Sequence, residues 1–100
     1  MKRRVVVTGL GLVTSLSCKV DDFWQRLLAG ESGVHPLRIL DTTPFKVKFG
    51  GDVLDWNPEG YIDKYELKRI DRFTQFALVA AIDAIKDCGL DFAKENPYRC

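Results

Sequence analysis

The sequence is short of the residues that most often announce chemistry. It holds one histidine, His35, and three cysteines, Cys18, Cys88 and Cys100, among 100 residues. The cysteines have no CxxC spacing and no histidine cluster beside them. Neither a zinc site nor a disulfide framework is expected, and they read as reduced thiols of a cytoplasmic protein. Charge of one sign is missing too: 15 Lys and Arg against 14 Asp and Glu leave +1. That balance gives no global attraction to nucleic acid or to an anionic membrane. No apolar run reaches the length of a membrane span. Lys2-Arg3-Arg4 precedes an apolar stretch, but Thr8, Gly9 and Gly11 interrupt it and no small-residue cleavage site follows, so it is not read as a signal peptide. Internal repeats and low-complexity segments are also absent. The composition, 46% hydrophobic and 29% charged, is that of a globular protein.

What is present begins with Arg4-Val5-Val6-Val7-Thr8-Gly9-Leu10-Gly11. Three consecutive β-branched residues fit a strand buried on both faces, as in a sheet covered by helices. Gly9 and Gly11 are expected to form a turn after it, where backbone approaches backbone or a ligand without an intervening side chain. A dinucleotide site would need a third small residue where Thr14 stands, and a helix opening at once. The next helix begins only near Asp21, so packing is the preferred role for these glycines.

Val20 to Ala29 reads as a helix, with Asp21 or Asp22 as its cap and Phe23, Trp24, Leu27 and Leu28 at helical spacing. Phe23 and Trp24 are expected to pack under the sheet, and Gly30 stands where a left-handed C-terminal residue belongs. Glu31 to Trp56 looks irregular, punctuated by Gly33, Pro36, Pro44 and Gly50-Gly51. Within it Phe45 to Phe49 alternates as a half-exposed strand that Val53 and Leu54 extend. So long an irregular stretch suggests a surface excursion or a contact region. His35 lies there without a companion carboxylate in any recognisable motif and reads as a loop histidine, not a catalytic one.

Asp63 precedes Glu66 by three residues, an aspartate version of the capping box. Lys64, Lys68 and Arg72 recur every four residues and would line one face of a helix, with Arg69 beside them. On spacing alone this is a solvated face, partly neutralised by Glu66 and Asp71. Phe73 to Gly89 reads as a helix of about four turns ending at glycine. From Phe76 to Ile82 it is wholly apolar, which predicts an enclosed layer of a large protein. Pro97 to Cys100 reads as the approach to another strand. A both-sides-buried strand, such a helix and a long excursion exceed what 100 residues can bury among themselves, so residues 1–100 are expected to be the N-terminal part of a larger domain.

These motifs in this order resemble the β-ketoacyl-acyl carrier protein synthases, the synthase II group most closely. The similar segments are Arg4 to Gly11 with the Thr14-Ser15 pair, Phe23-Trp24-x-x-Leu27-Leu28-Ala29-Gly30-x-Ser32-Gly33, Lys68 to Ala77, and Asp87-Cys88-Gly89-Leu90. The resemblance implies an α/β, thiolase-like layered αβαβα fold, a homodimer, and no cofactor or metal. It implies decarboxylative condensation of malonyl with acyl carrier protein in fatty acid elongation, through a cysteine nucleophile and two histidines. No motif of those three catalytic residues occurs here, so none is assigned. It further implies that Lys68 and Arg69, with Lys64 as a third contact, dock the acidic carrier protein; Tyr65 stands where relatives have a lysine. Non-catalytic chain-length-factor partners and polyketide ketosynthases share the same opening features and stay open as alternatives.

Overall fold

The structure is a computed structural model that describes all 100 residues. In chain order it contains α1 (Val20–Leu28), β1 (His35–Pro36), β2 (Phe49–Gly50), α2 (Lys64–Leu67), α3 (Arg72–Cys88) and a 3₁₀ turn at Phe92–Lys94. The longest element, α3, forms where the sequence predicts it, shifted by one residue at each end. It closes at Gly89, whose φ of 66° is the left-handed C-terminal conformation.

The N-terminal segment crosses α3 over a row of small residues. A Cβ at Gly11 would overlap the Ala80 carbonyl and lie 2.7 Å from the Ala84 amide nitrogen. One at Gly9 would lie 2.7 Å from the Cys88 amide nitrogen. Ala80, Ala84 and Cys88 are four residues apart, so they share one face of the helix, and the two glycines seat backbone on backbone. Between them the Leu10 amide donates to Asp87 Oδ2 at 2.9 Å. The expected turn is corrected: neither glycine has a positive φ, and the first bend comes at Ser15–Leu16. The glycines serve close approach, not a change of direction.

The strand expected over Arg4–Thr8 is also corrected. Residues 1–13 make no backbone–backbone hydrogen bond, and Val5, Val6 and Val7 are 95, 64 and 79% exposed. A buried strand needs hydrogen-bonding neighbours along its edges, and no segment of these 100 residues pairs with it. The sole ladder is antiparallel and two residues long, His35 opposite Gly50 and Pro36 opposite Phe49. The longer strand expected from Phe45 is cut short because Phe45 closes a turn, its amide donating to the Thr42 carbonyl at 2.9 Å. Val53 and Leu54 lie outside the ladder.

Three local expectations change for related reasons. Helix α1 starts one residue after Lys19, with Asp21 and Asp22 inside its first turn and no side-chain cap. Its C-terminus follows the sequence: Gly30, at φ 75°, donates to Leu27, and Glu31 to Arg26, the paired bonds of a Schellman ending. Trp24 is exposed, since no sheet lies over it. Asp63 begins α2 through its backbone carbonyl, which accepts from Leu67 at 3.0 Å; its side chain makes no capping bond. Pro97 to Cys100 enters a turn held by Asn96, whose side-chain Oδ1 and backbone carbonyl accept from Tyr98 and Arg99.

The chain is open. Its radius of gyration is 17.3 Å, against about 13 Å for a compact domain of this length. Val79 of α3 and Asp52 are its buried residues. The helix expected to be enclosed leaves Phe73, Leu78 and Ile85 exposed, because the N-terminal segment and the loop before α2 cover only part of its circumference.

Candidate functional site

The charged segment from Lys64 to Arg72 folds as two helices with a break. Helix α2 is a single turn; Lys68 caps its C-terminus, and the Arg69 amide returns to the Glu66 carbonyl at 2.9 Å. Asp71 is extended, at φ −72° and ψ 161°, and α3 starts after it. One helix does not run through Lys64, Lys68 and Arg72, so the expected stripe does not form. Backbone geometry separates Arg72 from the other cations.

The side chains then take different roles. The Arg72 guanidinium donates to the Val53 carbonyl and lies 5.5 Å from the centre of the Phe76 ring. Phe76 in turn meets Trp56 edge to face, with ring centres 4.7 Å apart at 85°. The Trp56 Nε1–H donates to Gln75 Oε1 at 2.9 Å. Arg72 therefore fastens the loop before α2 to the start of α3 through a cation–π contact and a hydrogen bond. Lys64, Lys68 and Arg69 remain exposed. None of them is in an ion pair; the four ion pairs present involve Arg26 twice, His35 and Lys94. Glu66 and Asp71 do not neutralise them at contact distance. The arrangement presents three unpaired cations on and just after one helical turn, beside a clamped helix start. Such a cluster attracts an anionic surface over about one Debye length, roughly 8 Å at physiological ionic strength.

A second cluster has no signature in the sequence. His35 has a carboxylate after all: its Nε2 lies 3.1 Å from Oδ1 of the buried Asp52. Asp52 Oδ2 accepts from the Arg38 and Ile39 amides at 2.9 and 3.2 Å. The Arg38 amide first, then that of Ile39 and the nearby His35, hold the Asp52 carboxyl below its ordinary value against the opposing effect of burial. The three cysteines are free thiols; Cys88 Sγ, at the end of α3, donates to the Ile85 carbonyl at 3.0 Å. No helix is long and apolar enough to cross a membrane.

Comparison with known proteins identifies the frame in which these clusters sit. Residues 2–99 match the sequence model of the β-ketoacyl synthase N-terminal domain. The chain is 43% identical over 98 residues to 3-oxoacyl-[acyl-carrier-protein] synthase 2 of Coxiella burnetii, covering 98% of this chain and 24% of that protein. It is 42% identical to the enzyme of the same name from Staphylococcus aureus strain COL, covering 97% of this chain and 23% of the relative. The chain thus spans about a quarter of the length of these curated relatives. Among solved structures, the ishigamide ketosynthase/chain length factor superposes with a TM-score of 0.80 at 34% identity, over 93% of this chain and 23% of that one. The architecture is α/β, part of the thiolase-like layered αβαβα fold. With nearly all of its length, residues 2–99, matched to the family's N-terminal domain, the chain belongs to the β-ketoacyl synthase family.

Proposed function

We propose that the intact protein is a 3-oxoacyl-[acyl-carrier-protein] synthase that condenses malonyl with acyl carrier protein in fatty acid elongation, losing carbon dioxide. The observation that carries this reading is the identity of 42–43% to synthases 2, sustained over 97–98% of the chain. In this reading residues 1–100 supply the N-terminal part of the domain, and the nucleophilic cysteine and two histidines come from elsewhere in the protein. The exposed valines of the N-terminal segment and the open faces of α3 support it, since they are surfaces that a larger sheet and helix layer would cover. The protein is read as a cytoplasmic homodimer that works without a cofactor.

The contribution of these residues is docking. Lys64, Lys68 and Arg69 form the patch that receives the acidic carrier protein. Exposed, unpaired cations suit this task, because they speed encounter and fix orientation more than they stabilise the fold. Tyr65, 77% exposed, stands among them. The test is to incubate the intact protein with acyl and malonyl carrier protein and follow product and carbon dioxide. The reading predicts one 3-oxoacyl carrier protein per carbon dioxide; decarboxylation and condensation both at background would overturn it.

A second reading has its own support in the likeness to the ishigamide ketosynthase/chain length factor: a polyketide ketosynthase or its non-catalytic partner. Acylation separates the catalytic readings from the non-catalytic one. A synthase of either pathway takes an acyl group from carrier protein onto one of its own cysteines, while a chain-length-factor type stays unlabelled and the label falls on the active subunit it pairs with.

A further inference from the structure

Helix α2 cannot hold its own position. It is four residues long, none of them buried, and Asp63 gives it no side-chain cap. A single turn is not stable alone in water, because it fixes several residues for its first hydrogen bond. Lys64 stands on it, with Lys68 and Arg69 just after it. A surface that orients a partner needs its charges in fixed places. The chain on either side must supply the position.

Both limbs of the surrounding loop end on the start of α3. On the entry limb the Val53 carbonyl accepts from the Arg72 guanidinium. Trp56 lies edge to face on Phe76 with ring centres 4.7 Å apart, and its Nε1–H donates to Gln75 Oε1 at 2.9 Å. On the exit limb Gln75 Nε2 donates to the Ile70 carbonyl at 3.4 Å. One half-buried carboxamide thus touches both limbs, and residues 57–70 form a loop closed at its base. A further tie lies along α3, where Lys86 Nζ stands 4.8 Å from the centre of the Tyr61 ring. Arg72 has the charge of a docking residue, but its guanidinium is engaged by the Val53 carbonyl and the Phe76 ring.

We propose that Arg72 and Gln75 are positioning residues for carrier-protein docking: they close the 57–70 loop at its base and so hold Lys64, Lys68 and Arg69 in one orientation, without touching the carrier. The inference rests on the docking role given to those three cations above. Its consequence follows from populations. A partner that needs one arrangement of the patch binds more weakly by the fraction of molecules lacking it. Because α2 has no cap and no buried residue, loosening the base leaves little to keep that arrangement populated. KM for the carrier protein then rises. The chemistry and the number of docking cations stay as they were, so kcat and the salt dependence of KM do not change.

Two substitutions in the intact protein test this without altering its charge. Gln75→Met keeps the length of the side chain and loses both bonds. Arg72→Lys keeps the cation and loses the planar fork. They are made separately, so that either still tests the base of the loop if the other fails to fold. Each should raise KM for acyl carrier protein about three-fold, with kcat within about two-fold of the parent and an unchanged dependence of KM on ionic strength. Hydrogen exchange in peptides covering 61–70 should quicken about five-fold, the effect of one lost hydrogen bond. Lys68→Glu with Arg69→Glu is run beside them to read docking itself. Parental KM in the folded Gln75 and Arg72 variants, against a raised KM in the double-glutamate protein, would overturn this inference and leave docking standing. Parental KM in all of them would overturn docking and this inference with it. A raised KM with a weakened salt dependence in Arg72→Lys would make Arg72 a docking contact and overturn its positioning role.

Discussion

Replacing Gly11 by alanine would drive a methyl group into the Ala80 carbonyl, 2.7 Å from the Ala84 amide nitrogen. Helix backbone cannot yield as a side chain can, so the segment must lift off α3. The expected loss is about 3 kcal/mol, at the upper end for overpacking, read as a fall in denaturant midpoint at unchanged slope. Gly50→Ala is the control: its added methyl would meet the end of the Leu37 side chain at 3.3 Å, and a cost below about 1 kcal/mol is expected. Carboxylates give a second residue-scale prediction. Asp22, held low first by Ser17, Asp41, held low first by the Thr43 hydroxyl, and Asp52, held low first by the Arg38 amide, all lie below the ordinary 3.8 in the folded chain. Their stabilisation is complete above that value and disappears as pH falls through the lowered ones, so an acid titration should show stability flat above about pH 5 and falling below pH 4. At this scale the sequence is legible where the constraint is local. Gly9-x-Gly11 announces close approach by its lack of side chains. His35 and Asp52 do not announce each other, because their meeting depends on how the whole excursion folds back.

Among the elements, α3 was readable nearly to the residue, since its apolar run and terminal glycine are encoded in neighbouring positions. Gly89→Ala would place a Cβ at φ 66° and should cost about 1 kcal/mol, with Gly89→Asn costing less because asparagine tolerates that region. Trp56 secures the start of the same helix through Phe76 and Gln75. Trp56→Ala should destabilise by about 2 kcal/mol, below the fully buried range because Trp56 is only partly buried, whereas Trp56→Phe keeps the edge contact and loses about 1 kcal/mol with the hydrogen bond. Thermal melting of the two variants separates packing from bonding. The break between α2 and α3 was not legible: Lys64, Lys68 and Arg72 have perfect helical spacing, and only the extended Asp71 and the pull of Val53 and Phe76 on Arg72 divide them. The strands are shorter than the sequence predicts for the converse reason. Three valines specify a preference for burial, but pairing is supplied by whatever segment lies alongside.

For the molecule as a whole, an open shape with exposed valines and an incompletely covered α3 predicts that residues 1–100 produced alone will self-associate. Sedimentation at increasing concentration should show assemblies, and a cooperatively unfolding monomer would contradict that expectation. The family is carried by motifs spread over the chain and agrees with its fold; the proposed docking role rests on three cations that the fold leaves unpaired. The most direct measurement is therefore the steady-state kinetics of the intact protein, in the proposed condensation, with Lys68→Glu and Arg69→Glu combined, against varied acyl carrier protein and salt. Docking predicts a KM for the carrier protein raised about ten-fold, kcat within about two-fold of the parent, and a weaker dependence of KM on ionic strength. An unchanged KM with an unchanged salt dependence would contradict it.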